Sequence, residues 1–578
     1  MENRVLKVHP AIGIARLGNA ERGDSIGDGF FVGPETPGVP ANWDFANQTS
    51  HPFKKDGKIK AQAARFRIWE YIEKNGKLVP ARELNLDNAE VVSIEWTVHL
   101  ANRKASFFKF MGRKGEADNY ASTPASERRN NGVPEAERTL KLEIDEGAKS
   151  IQGKNTPKVE FRNSKTHIPI EMLGELRTDA QGRLLVLGGK GQSNSSLVPP
   201  APLPHYANND NWFDDISDGP VTAKVTLKDE NGTDIQLAVE GAWILIAPPD
   251  FAPPINNVIT LYDALWDVAV RELTIPDKGA LYDEYEAGKG LKVLKEMNSD
   301  WKATGGLTDY KPSFTNTIFP IFNRAFLTRW VHEPLNVQTG PQPHHNRIAD
   351  ARAAELAALP GNILNRKSIF SRMRLPNDSN FRPQSMPKAF GDDYDKRSQK
   401  VGTAYLSQTR TQYALLNQWM LGNFVSDWQG IPAKPTREEI TPEGLDRAAL
   451  ENSVGGAFYP GIEASWLIRK KEVFSEPFRI KHDAVVGSLK VRAGFFSQQM
   501  AVPWQADFLD CAKEEFDSTT YHAWWVAQRP DDVFKQAGGN MLEWARGLPQ
   551  HEDMVRDWST RGFVIENNGV YVEQEGPN

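Results

Sequence analysis

The only cysteine of this 578-residue chain, Cys511, lies in the stretch QADFLDCAKEEFDSTTYHAWW, flanked by acidic residues and followed by a tryptophan pair. A helix over ADFLDCAKEEF sets Asp507 and Cys511 at i and i+4, on one face, with Asp510 pointing elsewhere. A carboxylate beside a thiol raises the thiol pKa and opposes formation of a reactive thiolate. A cysteine-protease nucleophile is therefore poorly supported, even with His522 nearby in sequence. A buried thiol behaving as a small hydrophobe explains Cys511 without any chemistry.

Other candidates are weaker. The 11 histidines are scattered, only His344 and His345 are adjacent, and no HExxH spacing occurs. With a single cysteine, no zinc or iron–sulfur cluster can be assembled from thiolates, and no metal site is expected. The glycine-rich GGKGQSNSS (Gly188–Ser196) lacks the GxxxxGK[ST] order and reads as a mobile loop. Neither a GxSxG elbow nor a GxGxxG after a strand is present, so no nucleotide cofactor is expected. NNDNWFDDISDGP (Asn208–Pro220) joins four aspartates to Trp212 and Phe213, which suits a carbohydrate or cation site and equally a set of Asx turns. In GGAFYPGIEASW (Gly455–Trp466), glycines let the backbone approach either a ligand or another chain segment.

Composition narrows the function classes. Net charge is −6, with 69 basic and 75 acidic residues interspersed, so no basic stripe is available to neutralise a nucleic-acid backbone. The N-terminus lacks the apolar run of a Sec signal peptide, and no stretch is long enough for a membrane span. The expected compartment is the cytoplasm, although non-classical export leaves no mark in a sequence.

The elements that must position these residues change character midway. RFRIWEYI, AEVVSIEWTVHL, RTLKLEID, GRLLVLGG and PVTAKVTLKDENGTDIQLAVEGAWILIAPP are β-branched and aromatic runs separated by turn formers, with DENGTD joining a hairpin. APPDFAPP (Ala247–Pro254) breaks that pattern. Beyond it, NNVITLYDALWDVAVREL, TIFPIFNRAFLTRWV, NRIADARAAELAAL and TQYALLNQWMLGNF carry apolar residues at helical spacing. Strand-like PFRIKHD and GSLKVRAGFF follow, while the polar segment Asn377–Gly402 reads as a long surface loop or lid. The expected fold class is α+β: a β-rich N-terminal domain, residues 1–250, followed by a mostly helical domain, residues 251–578, with a small additional sheet.

The opening VHPAIGIARLGN (Val8–Asn19) and six further blocks in order, NNDNWFDDISDGPV, QYALLNQWMLGNF, GGAFYPGIEASW, PWQADFLDC, HAWWVAQRPDD and WSTRGFV, resemble the L-lysine 6-oxidase and glycine-oxidase family. Those enzymes carry cysteine tryptophylquinone, a cofactor made from a Cys and a Trp of the same chain. The resemblance implies that Cys511 forms the thioether and that Trp558 is oxygenated to the quinone, with Trp544, Trp524 and Trp525 as alternatives. It implies that Asp507 serves cofactor formation and proton transfer, and burial among aromatics would raise its pKa and strengthen it as a base. Phe213 falls where relatives line the substrate pocket with an aromatic, and its lack of a hydroxyl resembles the glycine-oxidase side. Tyr459 replaces a histidine of the family's HPG block, which leaves the substrate open, while His522 and Arg529 are supporting candidates.

The implied reaction is oxidative deamination of a primary amine with dioxygen, yielding aldehyde or oxo acid, ammonia and hydrogen peroxide. A dedicated flavoprotein that installs the quinone oxygens and a homo-oligomeric state are also implied. A chain without competing thiols avoids wrong cross-links during such maturation. Two alternatives stay open: the same fold with unmodified Cys511 and Trp558 in another role, or a carbohydrate-binding or glycoside-processing protein, which needs paired carboxylates facing across a cleft.

Overall fold

A computed structural model describes the chain except residues 1–3, 75–76, 111–123, 276–290, 333–347, 349–351, 377–384, 387–406, 435, 438, 457–461, 511–512, 517–518, 523–525 and 578, and only the backbone of residues 77, 125, 291–292, 510, 513–516 and 519–522. The β-rich first half folds into one mixed 15-stranded sheet. The long strand Ala61–Lys74 pairs antiparallel with Arg4–His9, and its Gln62 pairs with Arg16 of the Ile12–Arg16 strand. Arg4–His9 pairs in turn with Asp234–Glu240, and Ile12–Arg16 with Ala242–Ala247, both parallel. The strand Ser217–Lys228 bridges those two partners, closing a barrel-like ring. The expected hairpin at DENGTD is present, with Lys228 opposite Asp234.

Both faces of the central strands are buried, and their side chains alternate between two cores. In Ala242–Ala247, Trp243 and Leu245 join one core, while Ala242, Ile244 and Ile246 join the other. The Trp243 face receives the helical half: Leu261, Leu265 and Val268 of helix Leu261–Arg271, Phe319 and Phe322 of Phe319–Leu327, and Leu415 and Trp419 of Arg410–Leu421. The opposite face receives the C-terminal segment through Trp504, Phe508, Trp544, Trp558 and Phe563. Helix Leu261–Arg271 begins at a Thr260 capping box and Arg410–Leu421 at one on Thr409, the latter ending at the left-handed Gly422.

The α+β architecture is as expected, and the additional C-terminal sheet takes the form of separate two-stranded ribbons, among them Phe474–Glu476 with Arg479–Ile480 and Phe563–Asn567 with Val570–Gln574. One element differs. RTLKLEID was expected as a strand, yet Glu135–Leu142 is a helix and only Ile144–Asp145 is extended. Pro134 at its cap, Glu135 and Glu137 in the first turn and Lys141 in the last match a helix and its dipole, and Arg138 and Leu142, one turn apart, are the residues it buries. Of NRIADARAAELAAL, the described helix is Ala353–Ala357. The segment 377–402 lies outside the described residues except for Ser385 and Met386. No helix among the described residues is long and apolar enough to cross a membrane.

Asp218 fastens the sheet to the C-terminal half. Its buried carboxylate accepts hydrogen bonds from the Trp243 indole (2.9 Å), the Phe496 and Ser497 backbone N–H groups (3.1 and 2.8 Å) and the Ser497 hydroxyl (2.6 Å). Replacing it with alanine orphans four donors at once, so Asp218→Ala should lower unfolding free energy by roughly 3 kcal/mol or more. Denaturant unfolding of the variant checks this, and a loss under about 1 kcal/mol would show that the four donors find other partners.

Candidate active site

Asp507 lies on the short helix Trp504–Asp510, which leans on Trp558 through its first residue. The Trp504 and Trp558 rings meet edge to face at 5.4 Å and 71°, and Phe508, one turn on, meets Trp504 at 5.0 Å. Asp507 is fully buried, and Trp558 is 5% exposed. Arg529 ends the helix: its guanidinium donates to the carbonyl oxygens of Phe508 and of Leu509 (3.0 Å), a cation on the negative pole of the helix dipole. The chain turns to strand at Lys513–Phe516, so the continuous helix expected through AKEEF does not form. Cys511 lies outside the described residues, as do Tyr459, Trp524 and Trp525. His522 pairs with Lys513 through the backbone in a hairpin, and its side chain is likewise outside them.

Trp558 follows the helix His551–Asp557 and packs against the glycine-rich segment Gly188–Ser196. A Cβ on Gly191 would lie 2.2 Å from Trp558 Cζ2 and 2.8 Å from Cη2. No residue but glycine fits there, and Gly191 also has φ +74°. The segment read from sequence as a mobile loop is thus a packed cradle. Gln505, on the helix of Asp507, donates to the Gly191 carbonyl (3.1 Å) and accepts from the Ser193 hydroxyl (2.6 Å). The Trp504 indole N–H is buried and has no hydrogen-bond partner among the described residues.

The aspartate-rich block lies beneath this cradle. Phe213 is buried in strand Trp212–Asp214, opposite Asn194. Asp214 accepts from the fully buried Lys104 ammonium (2.8 Å), from Asn102 (2.9 Å) and from the Trp504 N–H (3.2 Å) that opens the Asp507 helix. Burial lowers the Lys104 pKa, opposed by the charge of Asp214. Asp215 accepts from the Gln192 N–H (3.0 Å) with one oxygen, while its other oxygen is buried with no partner among the described residues. Burial, with the charge of Asp214 adding, pushes its carboxyl up to about 7. These carboxylates face the interior and hold chain segments, so the cleft-lining pair that a glycoside-processing site requires is not built from them. In the Gly455 block the two glycines serve chain packing: a Cβ at Gly455 would strike the Thr260 carbonyl, and one at Gly456 would strike Ile259.

The sequence matches the L-lysine epsilon oxidase N-terminal family over residues 9–246 and the L-lysine epsilon oxidase C-terminal domain over 387–529, together about two thirds of the chain. The chain belongs to the L-lysine epsilon-oxidase family. It is an amino-acid oxidase, an oxidoreductase. It is 28% identical to the L-lysine 6-oxidase of Marinomonas mediterranea, over 97% of this chain and 87% of that one. Its fold superposes on the crystal structure of the L-Lys epsilon-oxidase from Marinomonas mediterranea with L-Lys, described as the Schiff base intermediate, at a TM-score of 0.75 and 25% identity, covering 99% of this chain and 95% of that one. A second structure, of the epsilon-lysine oxidase from Marinomonas mediterranea, gives a TM-score of 0.76 at the same identity and coverage.

In this oxidase the structure brings Trp558, the Asp507 helix and the Phe213 strand into one continuous core. Trp544 belongs to the same core, but its indole N–H donates to the Gly562 carbonyl (3.1 Å), and its ring is covered by the Arg529 guanidinium at 5.3 Å and by Phe251 at 4.9 Å. Three residues unremarked in the sequence join the site: Gly191, Gln505 and Asp215. The glycine density of GGKGQ was the available signal, and it marks close approach here. Behind Arg529, His332, Asp531 and Asp532 bring three potential metal ligands within 4.8 Å of one another. His332 Nδ1 is 2.9 Å from Asp531, whose other oxygen is 3.9 Å from Arg529, an ion-pair chain that accounts for the cluster.

The raised Asp215 carboxyl has a pH signature. Its folded pKa of about 7 lies above the ordinary 3.8, so its contribution to stability is complete below about pH 4 and is lost as pH rises towards 7. Asp215→Asn removes that loss. Relative to the unmutated chain it should be up to about 4 kcal/mol more stable at pH 8, and the difference should shrink towards pH 4. Denaturant unfolding at both pH values checks this, and a difference independent of pH would contradict it.

Proposed function

We propose that this amino-acid oxidase is a quinoprotein whose cofactor, cysteine tryptophylquinone, is made from its own Cys511 and Trp558. The observation that carries the reading is the seat of Trp558: a buried indole whose benzo edge lies against Gly191 and whose neighbouring wall is the helix of Asp507. The surroundings fit a tryptophan-derived quinone. Only a glycine backbone can lie this close to the ring edge, and the Trp504 ring, whose N–H has no partner among the described residues, meets Trp558 edge to face. When present, such a quinone supplies an electrophilic carbonyl that takes two electrons from a bound primary amine and passes them to dioxygen.

The chain itself supplies orientation, exclusion of water and proton transfer. Asp507 is the base: its buried carboxylate takes the proton from the carbon that bears the substrate nitrogen. Phe213 contributes an apolar wall to the substrate pocket, with Tyr459 and His522 completing it. The substrate is a primary amine of an amino acid, and the products are the aldehyde or oxo acid, ammonia and hydrogen peroxide. A flavoprotein partner installs the quinone oxygens, and the mature enzyme is a cytoplasmic homo-oligomer.

Intact mass and visible absorption of protein matured in its native producer test the cofactor. We expect the mass of a chain with two added oxygens, less the two hydrogens lost at the quinone carbons and the two lost to one thioether, together with a visible band. An unmodified mass in natively matured protein rejects the reading. Peroxide release across a panel that includes L-lysine and glycine then identifies the amine. In the cross-linked fraction of Asp507→Asn, kcat should fall by about 100- to 10,000-fold, the range for losing a positioned base. An unchanged kcat would remove Asp507 from proton transfer.

A further inference from the structure

The loop that cradles Trp558 is itself clamped from two sides. The buried Arg22 guanidinium donates to the Gly188 and Gly189 carbonyls (2.9 and 2.6 Å) and reaches back to the Gly18 carbonyl (3.2 Å). Asp215 takes the opposite polarity, accepting from the backbone N–H of Gln192. Gln505 then holds the Gly191 carbonyl. The three glycines each meet a specific side chain: a Cβ would lie 2.5 Å from Ile246 at Gly188, 2.3 Å from Asp215 at Gly189 and 2.2 Å from Trp558 at Gly191.

A segment this rich in glycine loses more conformational freedom on ordering than any other, on the order of 1–2 kcal/mol per residue. Left to itself it would be loose. Pinning its carbonyls and the Gln192 amide gives it one position, and the Trp558 ring rests against that position.

We propose that Asp215 and Arg22 are positioning residues for the oxidase cofactor: they fix the Gly188–Gln192 loop, and the loop fixes the Trp558 ring relative to the helix that carries Asp507. The inference rests on the reading of Trp558 as the cofactor tryptophan. Neither residue touches the ring; each acts through the loop backbone. Ring placement matters at two stages, when Trp558 is cross-linked and when the amine reacts beside Asp507. In either stage a misplacement of about 1 Å is enough to lower a rate by on the order of 100-fold.

The test uses holoenzyme from the native producer, read by intact mass, visible absorption and steady-state kinetics. In Asp215→Ala the cross-linked fraction should fall. Within the fraction that matures, the absorption maximum should shift and kcat should drop by up to about 100-fold with KM little changed. Asp215→Asn, whose amide oxygen still accepts the Gln192 N–H, should recover the cross-linked fraction and the band. Gly191→Ala perturbs the ring directly with the clamp intact and should reproduce the Asp215→Ala phenotype. It also serves as the deciding variant should Asp215→Ala not accumulate folded.

A purely structural role for Asp215 would lower stability while leaving the band and the kcat of matured protein unchanged. That result, or full maturation of Gly191→Ala with an unshifted band, overturns the proposal. An unmodified mass in the unmutated protein is a different failure, since it removes the cofactor reading itself.

Discussion

Three buried carboxylates within five residues, Asp214, Asp215 and Asp218, hold together everything around the site. Removing such charges from water costs several kcal/mol each, and the cost is offset only when each finds a full set of donors. Each takes its donors from a different part of the chain, and Asp215, whose second oxygen has no partner among the described residues, is left with a raised pKa. Asp214 draws in Lys104, Asn102 and the start of the Asp507 helix. Asp215 draws in the loop against Trp558. Asp218 draws in Trp243 and the chain at Phe496–Ser497. The first-half sheet and the C-terminal segment are therefore joined by charge-assisted bonds at fixed points as well as by apolar packing. For an active site the distinction matters, because apolar contact tolerates sliding and a saturated carboxylate does not.

The sheet divides the labour between its faces. Strand alternation sends Trp243 and Leu245 towards the helices and Ile244 and Ile246 towards the tryptophan layer. Helices on one side give the sheet a rigid backing, which leaves the other side free to present the Phe213 strand and the Gly188–Gln192 loop to Trp558 and the Asp507 helix. The surroundings of Trp558 are thereby assembled from residues hundreds of positions apart in the chain.

How far this could be read in the sequence depends on the range of the interaction. Period-two alternation and the hairpin turn at DENGTD are local signals, and the strands they announced are present. RTLKLEID was misread because T-L-K-L-E-I alternates as a strand does, and the decisive cues, Pro134 and the two glutamates after it, sit just upstream. The glycine loop was misread for the opposite reason: glycines look alike in a sequence whether they permit motion or close approach, and only the partners Ile246, Asp215 and Trp558 decide between the two. Asp214 was visible as an aspartate in a polar block, but Lys104, which makes it a buried ion pair, stands 110 residues away with no local pattern pointing to it.

Trp544 and Trp558 belong to the same core but have contrasting surroundings. Trp544 is committed on every side: its N–H is bonded to a carbonyl, and a guanidinium and an aromatic ring cover its faces. Adding polar atoms to that ring would break contacts already satisfied. Trp558 meets a bare glycine backbone at its benzo edge, and the N–H of the tryptophan beside it has no partner among the described residues. Leaving a buried donor unpaired costs about 1–3 kcal/mol. At the Trp558 benzo edge the neighbour is glycine backbone, a contact that no larger residue could make, and that feature carries the proposal of a cofactor at this ring.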